Sequence, residues 1–321
     1  MKDAHEIFRA LADPTRLRIL ALLRAMELSI GELAQVLGQS QPRVSWHAKI
    51  LADAGIAERC KEGSWVFLRL GDKELIGPVL TAINVWATQQ GQNHHSAAAD
   101  IARLAAVRAD RARAAEIYFD AHAAEWDAMR SLHVAESEVE EAILAALDGE
   151  PIGRLVDIGT GTGRMIEIFG AAAASAIGVD RSSEMLRLAR VKLAKKELQH
   201  AELRQGDMFA LPLASGSADV VIIHQVLHYA QAPEAAIAEA ARLLAPRGRL
   251  LVVDFGPHEK EELRSKHAHT RLGFSDEQVS GWFADAALQV ESLKALEGGE
   301  LTVKLWLGRR PAVADLKVVA A

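Results

Sequence analysis

The sequence predicts two folded units of different class: an N-terminal winged helix-turn-helix and a C-terminal α/β unit on a Rossmann-like, doubly wound sheet. Three observations carry this. A length of 321 residues suits about two domains at roughly 150 residues each. Residues 6–70 read as four short helices and a hairpin, whereas after Pro151 short apolar runs alternate with helical patterns, as in a parallel sheet covered by helices. Between them Gln89-Gln90-Gly91-Gln92-Asn93-His94-His95-Ser96 is polar and without apolar periodicity, hence a linker. The expected boundaries are 1–90 for the first domain, 91–113 for a linker and connecting helix, 114–310 for the second domain and 311–321 for a tail.

Composition narrows the function classes. Hydrophobic residues at 50% and charged residues at 25% allow a large core and argue against wholesale disorder. A net charge of -6 excludes a uniformly basic nucleic-acid coat. Residues 1–70 nevertheless hold 10 Lys and Arg against 8 Asp and Glu, so a local DNA-binding face survives. Cys60 is the single cysteine, which excludes an intramolecular disulfide framework and a Cys-rich zinc site and fits a cytoplasmic protein. Nothing behind Met1-Lys2-Asp3-Ala4-His5 looks like a signal core, and no apolar run approaches the roughly 18 residues of a membrane span, so neither export nor membrane insertion is expected.

In the first unit Asp13-Pro14-Thr15 caps a helix through Arg24, and Ser29-Ile30-Gly31-Glu32 opens another to about Leu37. Gly38-Gln39-Ser40 is a tight turn, and Gln41-Pro42-Arg43 starts the next helix with proline in its first turn. Val44, Ala48 and Leu51 share its inner face, which turns Gln41, Arg43, Ser45, Trp46 and Lys49 toward solvent. Arginine and glutamine at the start of such a helix are side chains that read guanine and adenine edges in a major groove. Ile56 to Cys60 and Trp65 to Leu70 pair as a hairpin carrying Arg59 and Lys61, a wing suited to phosphate contacts.

The strings Phe8-Arg9-Ala10-Leu11-Ala12-Asp13-Pro14-Thr15-Arg16-Leu17-Arg18-Ile19-Leu20, Gln41-Pro42-Arg43-Val44-Ser45-Trp46-His47 and Leu51-Ala52-Asp53-Ala54-Gly55-Ile56 closely resemble the ArsR/SmtB family of winged-helix repressors over about residues 5–90. The resemblance implies a homodimer on a palindromic operator in double-stranded DNA, joined through helices near residues 5–10 and 72–88. The family's thiolate metal site falls on Glu27 to Leu33, where this chain carries Ser29 and Gly31, and residues 72–88 contain no histidine. His94 and His95 are adjacent and lack convergent partners, so no metal is expected. Cys60 reads as an ordinary strand residue, since no resolving cysteine exists.

In the second unit Leu155 to Ile158, Ala176 to Asp180, Val220 to Ile223 and Leu250 to Asp254 read as buried parallel strands, with helices at about 182–196 and 233–244. The sharpest motif is Leu155-Val156-Asp157-Ile158-Gly159-Thr160-Gly161-Thr162-Gly163-Arg164, whose glycines let the backbone turn tightly and approach a ligand. A dinucleotide fingerprint fails on spacing, because Arg164 and Ile166 stand where a third glycine is required. Asp157 is a strand carboxylate that needs a partner, and Asp180 ends the next strand where a carboxylate accepts ribose hydroxyls. Gln205-Gly206-Asp207-Met208 follows the third strand.

Together with Ala218-Asp219-Val220 and Leu243-Leu244-Ala245-Pro246-Arg247-Gly248-Arg249-Leu250, these motifs resemble class I S-adenosylmethionine-dependent methyltransferases over about residues 114–310, in the branch with ubiquinone/menaquinone and arsenite methyltransferases. The resemblance implies that S-adenosylmethionine or S-adenosylhomocysteine is held by Asp157, Gly159, Thr160, Gly161, Gly163, Asp180, Arg181, Met185, Gly206, Asp207, Met208 and His224. It also implies a terminal antiparallel pair near 288–296 and 301–309, and places Phe209 near adenine and Tyr118, Phe119 and Trp126 on a covering helix, for which packing on the sheet is the equal alternative. His224 is the one catalytic candidate, able to orient or deprotonate an acceptor, with cofactor contact or packing as its other role. His228 and Tyr229 read as structural, and the missing thiolates exclude arsenite as acceptor. Two functions follow: a repressor whose pocket senses the cofactor through helical residues 97–127, or a small-molecule methyltransferase with a regulatory DNA-binding domain.

Overall fold

Two units, Met1–Arg113 and Ala114–Ala321, form separately along the chain. A computed structural model describes residues 4–62, 65–71, 73–90, 98–107, 109, 135–198, 201–297 and 300–312. His94, His95, Tyr118, Phe119 and Trp126 lie outside the described residues.

The first unit runs α1 (Ala4–Leu11), α2 (Pro14–Leu23), β1 (Leu28–Ser29), α3 (Ile30–Leu37), α4 (Gln41–Asp53), β2 (Ala57–Glu62), β3 (Trp65–Leu70), α5 (Lys73–Gln90) and α6 (98–107). Each boundary has a local cause. The Asp13 carboxylate accepts the Thr15 and Arg16 backbone N–H groups at 2.8 and 3.1 Å, satisfying donors that the first turn of α2 leaves open. Ser29 and Glu32 form a reciprocal capping box on α3, which Gly38 ends in the left-handed conformation at φ 66°. Val44, Ala48 and Leu51 are buried against Ile19, Leu20, Leu33 and Val36, as the helical period of α4 requires.

Two features of this unit have no sequence period. The two residues of β1 pair Leu28 with Leu68 and Ser29 with Phe67, making a sheet of order β1-β3-β2. The helix after the linker, α6, packs on the helix-turn-helix core through Leu104 and Val107. Asp100 on it is 4% exposed and receives both the Nε and Nη2 groups of Arg18 at 2.6 Å. Arg103 adds a bond to the carbonyl of Val36 near the end of α3 at 3.2 Å.

The second unit runs α7 (Glu136–Leu147), β4 (Gly153–Ile158), α8 (Arg164–Phe169), β5 (Ala173–Asp180), α9 (Ser183–Lys195), β6 (Glu202–Gln205), β7 (Ala218–His224), a 3-10 turn (Leu227–Tyr229), α10 (Pro233–Leu243), β8 (Leu244–Phe255), α11 (Glu262–His267), α12 (Asp276–Asp285), β9 (Gln289–Leu296) and β10 (Val303–Arg309). The strands form one seven-stranded sheet of order β6-β5-β4-β7-β8-β10-β9. β6 to β8 are parallel, and β10 lies antiparallel between β8 and β9. Apolar clusters occupy the two faces, one around Leu155, Ile166, Val220 and Leu251, the other around Val156, Ile223, Ile237 and Val252. Alternation of successive β4 residues between the clusters explains why the strand is continuously apolar. Strand order reverses between β4 and β7, and in open α/β sheets that reversal opens a crevice at the carboxyl ends. Among the described residues no helix is long and apolar enough to cross a membrane.

His47 gives the first unit a pH dependence. It lies on α4, 2% exposed, with Nδ1 3.7 Å from an Asp13 oxygen. Burial holds its pKa below the ordinary histidine range; Asp13 opposes this, and Arg16 and Arg43 reinforce it. As pH falls through the unfolded histidine pKa near 6.5, the unfolded chain takes up the proton first, so this contribution to stability is lost on acidification. The melting temperature of the first unit is expected to fall between about pH 7.5 and about pH 5.5, less steeply in His47→Gln; calorimetry at matched ionic strength checks this.

Candidate functional site

The loop after β4 is tied to the end of β5 by its own backbone. The Val179 carbonyl accepts from Gly159 N–H at 2.8 Å and from Thr160 N–H at 3.0 Å. Gly159, Gly161 and Gly163 have φ of 71°, 53° and 83°, left-handed values that glycine adopts without steric penalty. A Cβ on Gly159 would stand 2.7 Å from both methyls of Val226. Gly163 then caps α8, whose amino end faces the loop. The Asp180 carboxylate accepts from Gly161 N–H at 2.8 Å and from Ser182 N–H at 2.9 Å, and its own carbonyl accepts from Gly206 N–H at 3.0 Å. Asp157, 1% exposed, accepts the Thr160 hydroxyl at 2.6 Å.

Asp157, Gly159, Thr160, Gly161, Gly163, Asp180 and Gly206 are thus gathered at the carboxyl ends of β4, β5 and β6. Asp207 is exposed and accepts from Phe209 N–H at 3.1 Å, while Met208 and Phe209 pack partly buried against one core cluster. Arg181 is exposed and Met185 is 1% exposed inside α9, so Met185 packs inward where Arg181 faces out.

On the other side of the crevice His224 ends β7, paired in register with Val253 of β8, and is 8% exposed. Gln225 follows with φ 50°, a left-handed value that costs a non-glycine residue about 1–3 kcal/mol and clusters at functional sites. The turn beyond it places His228 against Asp254, the residue before the last of β8. Asp254 is fully buried and accepts from His228 Nδ1 at 2.7 Å, His228 N–H at 3.1 Å and Phe255 N–H at 2.7 Å. His228 Nδ1 and a carboxylate oxygen of Asp254 thus share a short hydrogen bond inside the core. This pair escapes periodicity analysis; its sequence signal is a carboxylate closing the apolar run Leu250-Leu251-Val252-Val253-Asp254.

In the first unit Gln41, Arg43, Trp46 and Lys49 are exposed on α4 with Ser45 half-buried, and Arg59 and Lys61 are exposed on β2. Trp46 is 57% exposed, far more than packing would leave so large an apolar ring. A cleft of about 730 Å³ between α3, α4 and the wing is lined by Gln35, Gln41, Ser45, Arg59 and Val66. Ser29 is engaged in its helix cap, and among the described residues no group of three or more His, Cys, Asp or Glu could hold a metal ion.

Gly159→Ala forces a Cβ into left-handed backbone and into Val226. A loss of about 2–4 kcal/mol from the second unit is expected, partly restored by adding Val226→Ala, in chemical denaturation of the double-mutant cycle.

Comparison with known proteins agrees with both units. Residues 13–59 match the family described as bacterial regulatory protein, arsR family, and residues 156–252 match a methyltransferase domain. A ubiquinone/menaquinone biosynthesis C-methyltransferase of Syntrophotalea carbinolica is 36% identical over 129 residues, 38% of this chain and 54% of that protein. A malonyl-[acyl-carrier protein] O-methyltransferase of Methylococcus capsulatus is 33% identical over 152 residues, 46% of this chain and 54% of that protein. The chain spans about half the length of most of the first curated relatives it matches. Among solved structures, a chain of the complex between the Haloferax volcanii Trm112 methyltransferase activator and a methyltransferase shares the fold at a TM-score of 0.52 and 23% identity, over 60% of this chain and 97% of that one. The chain therefore joins a helix-turn-helix unit that matches the arsR family model to a unit that matches the methyltransferase-domain model and shares the fold of solved methyltransferases.

Proposed function

We propose that the chain is a transcriptional regulator, a repressor, whose methyltransferase unit binds S-adenosylmethionine or S-adenosylhomocysteine and couples that binding to affinity for a palindromic operator in double-stranded DNA. The observation that carries the reading is the glycine loop closed against Val179 and Asp180 on a chain whose helix-turn-helix unit has Ser29 and Gly31 where metal-sensing relatives place thiolates. The cradle fits the cofactor. Three left-handed glycines let the loop backbone approach a ligand, and the Asp180 carboxylate, held by Gly161 and Ser182, ends β5 where a carboxylate accepts ribose hydroxyls. Asp157, Thr160, Arg181, Met185, Gly206, Asp207, Met208 and His224 complete the proposed set around it.

On the DNA side, Gln41, Arg43, Ser45, Trp46 and Lys49 enter the major groove while Arg59 and Lys61 meet phosphates. Homodimerisation through α1 and α5 accounts for Phe8 at 62% and Val85 at 48% exposure, apolar side chains that a partner's helices would cover. A DNA target and a single cysteine fit a cytoplasmic location. Residues 97–127 are the proposed transmission element, and the Arg18–Asp100 pair gives its first helix a rigid hold on the helix-turn-helix. A second reading, an active small-molecule methyltransferase carrying a regulatory domain, is favoured by the buried His228–Asp254 pair.

Fluorescence anisotropy on the chain's own upstream DNA, at one stated salt concentration, tests the regulator. Titrating S-adenosylmethionine and S-adenosylhomocysteine separately is expected to shift DNA affinity by more than about fivefold for one of them, a coupling near 1 kcal/mol. Asp180→Ala is expected to abolish that shift and leave ligand-free DNA binding unchanged, whereas Arg43→Ala weakens DNA binding by about 1–3 kcal/mol at the cognate site. DNA affinity indifferent to both ligands overturns the coupling.

A further inference from the structure

We propose that Trp46 reads thymine by its C5-methyl group, so that each operator half-site is selected by an apolar contact in the major groove as well as by hydrogen bonds. This deepens, and rests on, the reading of α4 as a recognition helix. The helical period puts Trp46 at the centre of the outer face of α4. At about 100° per residue it stands across the helix axis from the buried stripe of Val44, Ala48 and Leu51. Arg43 and Lys49 flank it at about 60° on either side, and Pro42, exposed one turn earlier, brings no polar side-chain atom. Lys49 meets Asp53 at 3.3 Å, an exposed pair of the kind that contributes little. The indole itself is 57% exposed, so packing within the unit does not account for it. A second ring fixes how it is held: buried His47 meets it edge to face, with centroids 4.8 Å apart and planes at 68°. A ring braced in this way has little rotamer freedom left to lose on binding.

The chemistry of the groove names what the ring covers. An apolar ring gains from leaving water only where it meets another apolar surface. Along the major groove guanine, adenine and cytosine present hydrogen-bonding atoms, and the methyl group of thymine is the one apolar group that a base pair offers there. The cations on both sides favour a polyanion over an apolar protein face as the partner. Arg43 and Lys49 on α4, with Arg59 and Lys61 on the wing, stay exposed around the ring on a chain whose net charge is -6. Phosphates then meet the cations while the indole, at the centre of the face, meets the base edges.

The test removes the methyl group and nothing else. Uracil pairs as thymine does and keeps the O4 acceptor, so the chain's own upstream duplex is made with one thymine at a time replaced by uracil. Each duplex is titrated with full-length protein at one stated salt concentration. At one thymine per half-site, uracil is expected to weaken binding about fourfold, the effect of one buried methyl group. Trp46→Ala is expected to bind the thymine and uracil duplexes alike, whereas Trp46→Phe, which keeps an apolar ring, retains part of the difference. The dependence of log affinity on log salt should be the same in Trp46→Ala and wild type, because no phosphate contact is removed. Its melting temperature should also match, because the side chain is mostly exposed. The proposal is overturned if wild type binds every uracil duplex as tightly as the thymine duplex, or if Trp46→Ala keeps the wild-type dependence on the methyl group. If wild type binds this duplex no better than unrelated DNA, the recognition-helix reading itself fails, and the proposal with it.

Discussion

One carbonyl organises the second unit's crevice. By accepting N–H groups from both Gly159 and Thr160, Val179 holds the loop that leaves β4 against the end of β5. From there the arrangement is forced. Gly161 N–H reaches the Asp180 carboxylate, Gly206 N–H reaches the Asp180 carbonyl, and Thr160 turns its hydroxyl back onto buried Asp157. Each bond satisfies a backbone or carboxylate group that would otherwise sit unpaired beside the core, so the loop has little room to relax. Left-handed φ at three alternate glycines is what this geometry demands, and Val226 leaves no space for a side chain at the first.

The opposite wall of the crevice is built from strain and burial. Gln225 turns the chain in a left-handed conformation immediately after β7 and donates to Val253 at 2.7 Å, which lifts His228 over the end of β8. Asp254 is then buried with three hydrogen-bond partners around it, two of them backbone N–H groups. A carboxylate satisfied so fully orients whatever it touches, and what it touches is an imidazole.

The first unit follows another logic. Side-chain caps start α2 and α3, left-handed Gly38 ends α3, and α4 buries one apolar face, which leaves its outer face for side chains that packing does not need. Arg43, Lys49 and Trp46 are exposed there because the inner face is already occupied by Val44, Ala48 and Leu51. A small domain with a net acidic chain behind it concentrates its cations where the helix-turn-helix presents them.

Local signals determined most of the fold. The caps at Asp13 and Ser29, the left-handed Gly38, the apolar strands and the alternating glycines are each legible within a few residues, because hydrogen bonds to near neighbours and side-chain period depend only on nearby sequence. The loop at the ends of β4, β5 and β6 was legible for the same reason: its residues cluster around three strand ends, and the Gly-rich string marks the first of them. What only the tertiary structure decided is separated in sequence. Arg18 finds Asp100 across 82 residues, β1 becomes a strand because β3 lies beside it, and His228, read alone as a packing residue, meets Asp254 across 26. No period or motif records such meetings, since they follow from strand order and from the need to satisfy a buried charge, and both are set only when the sheet is assembled.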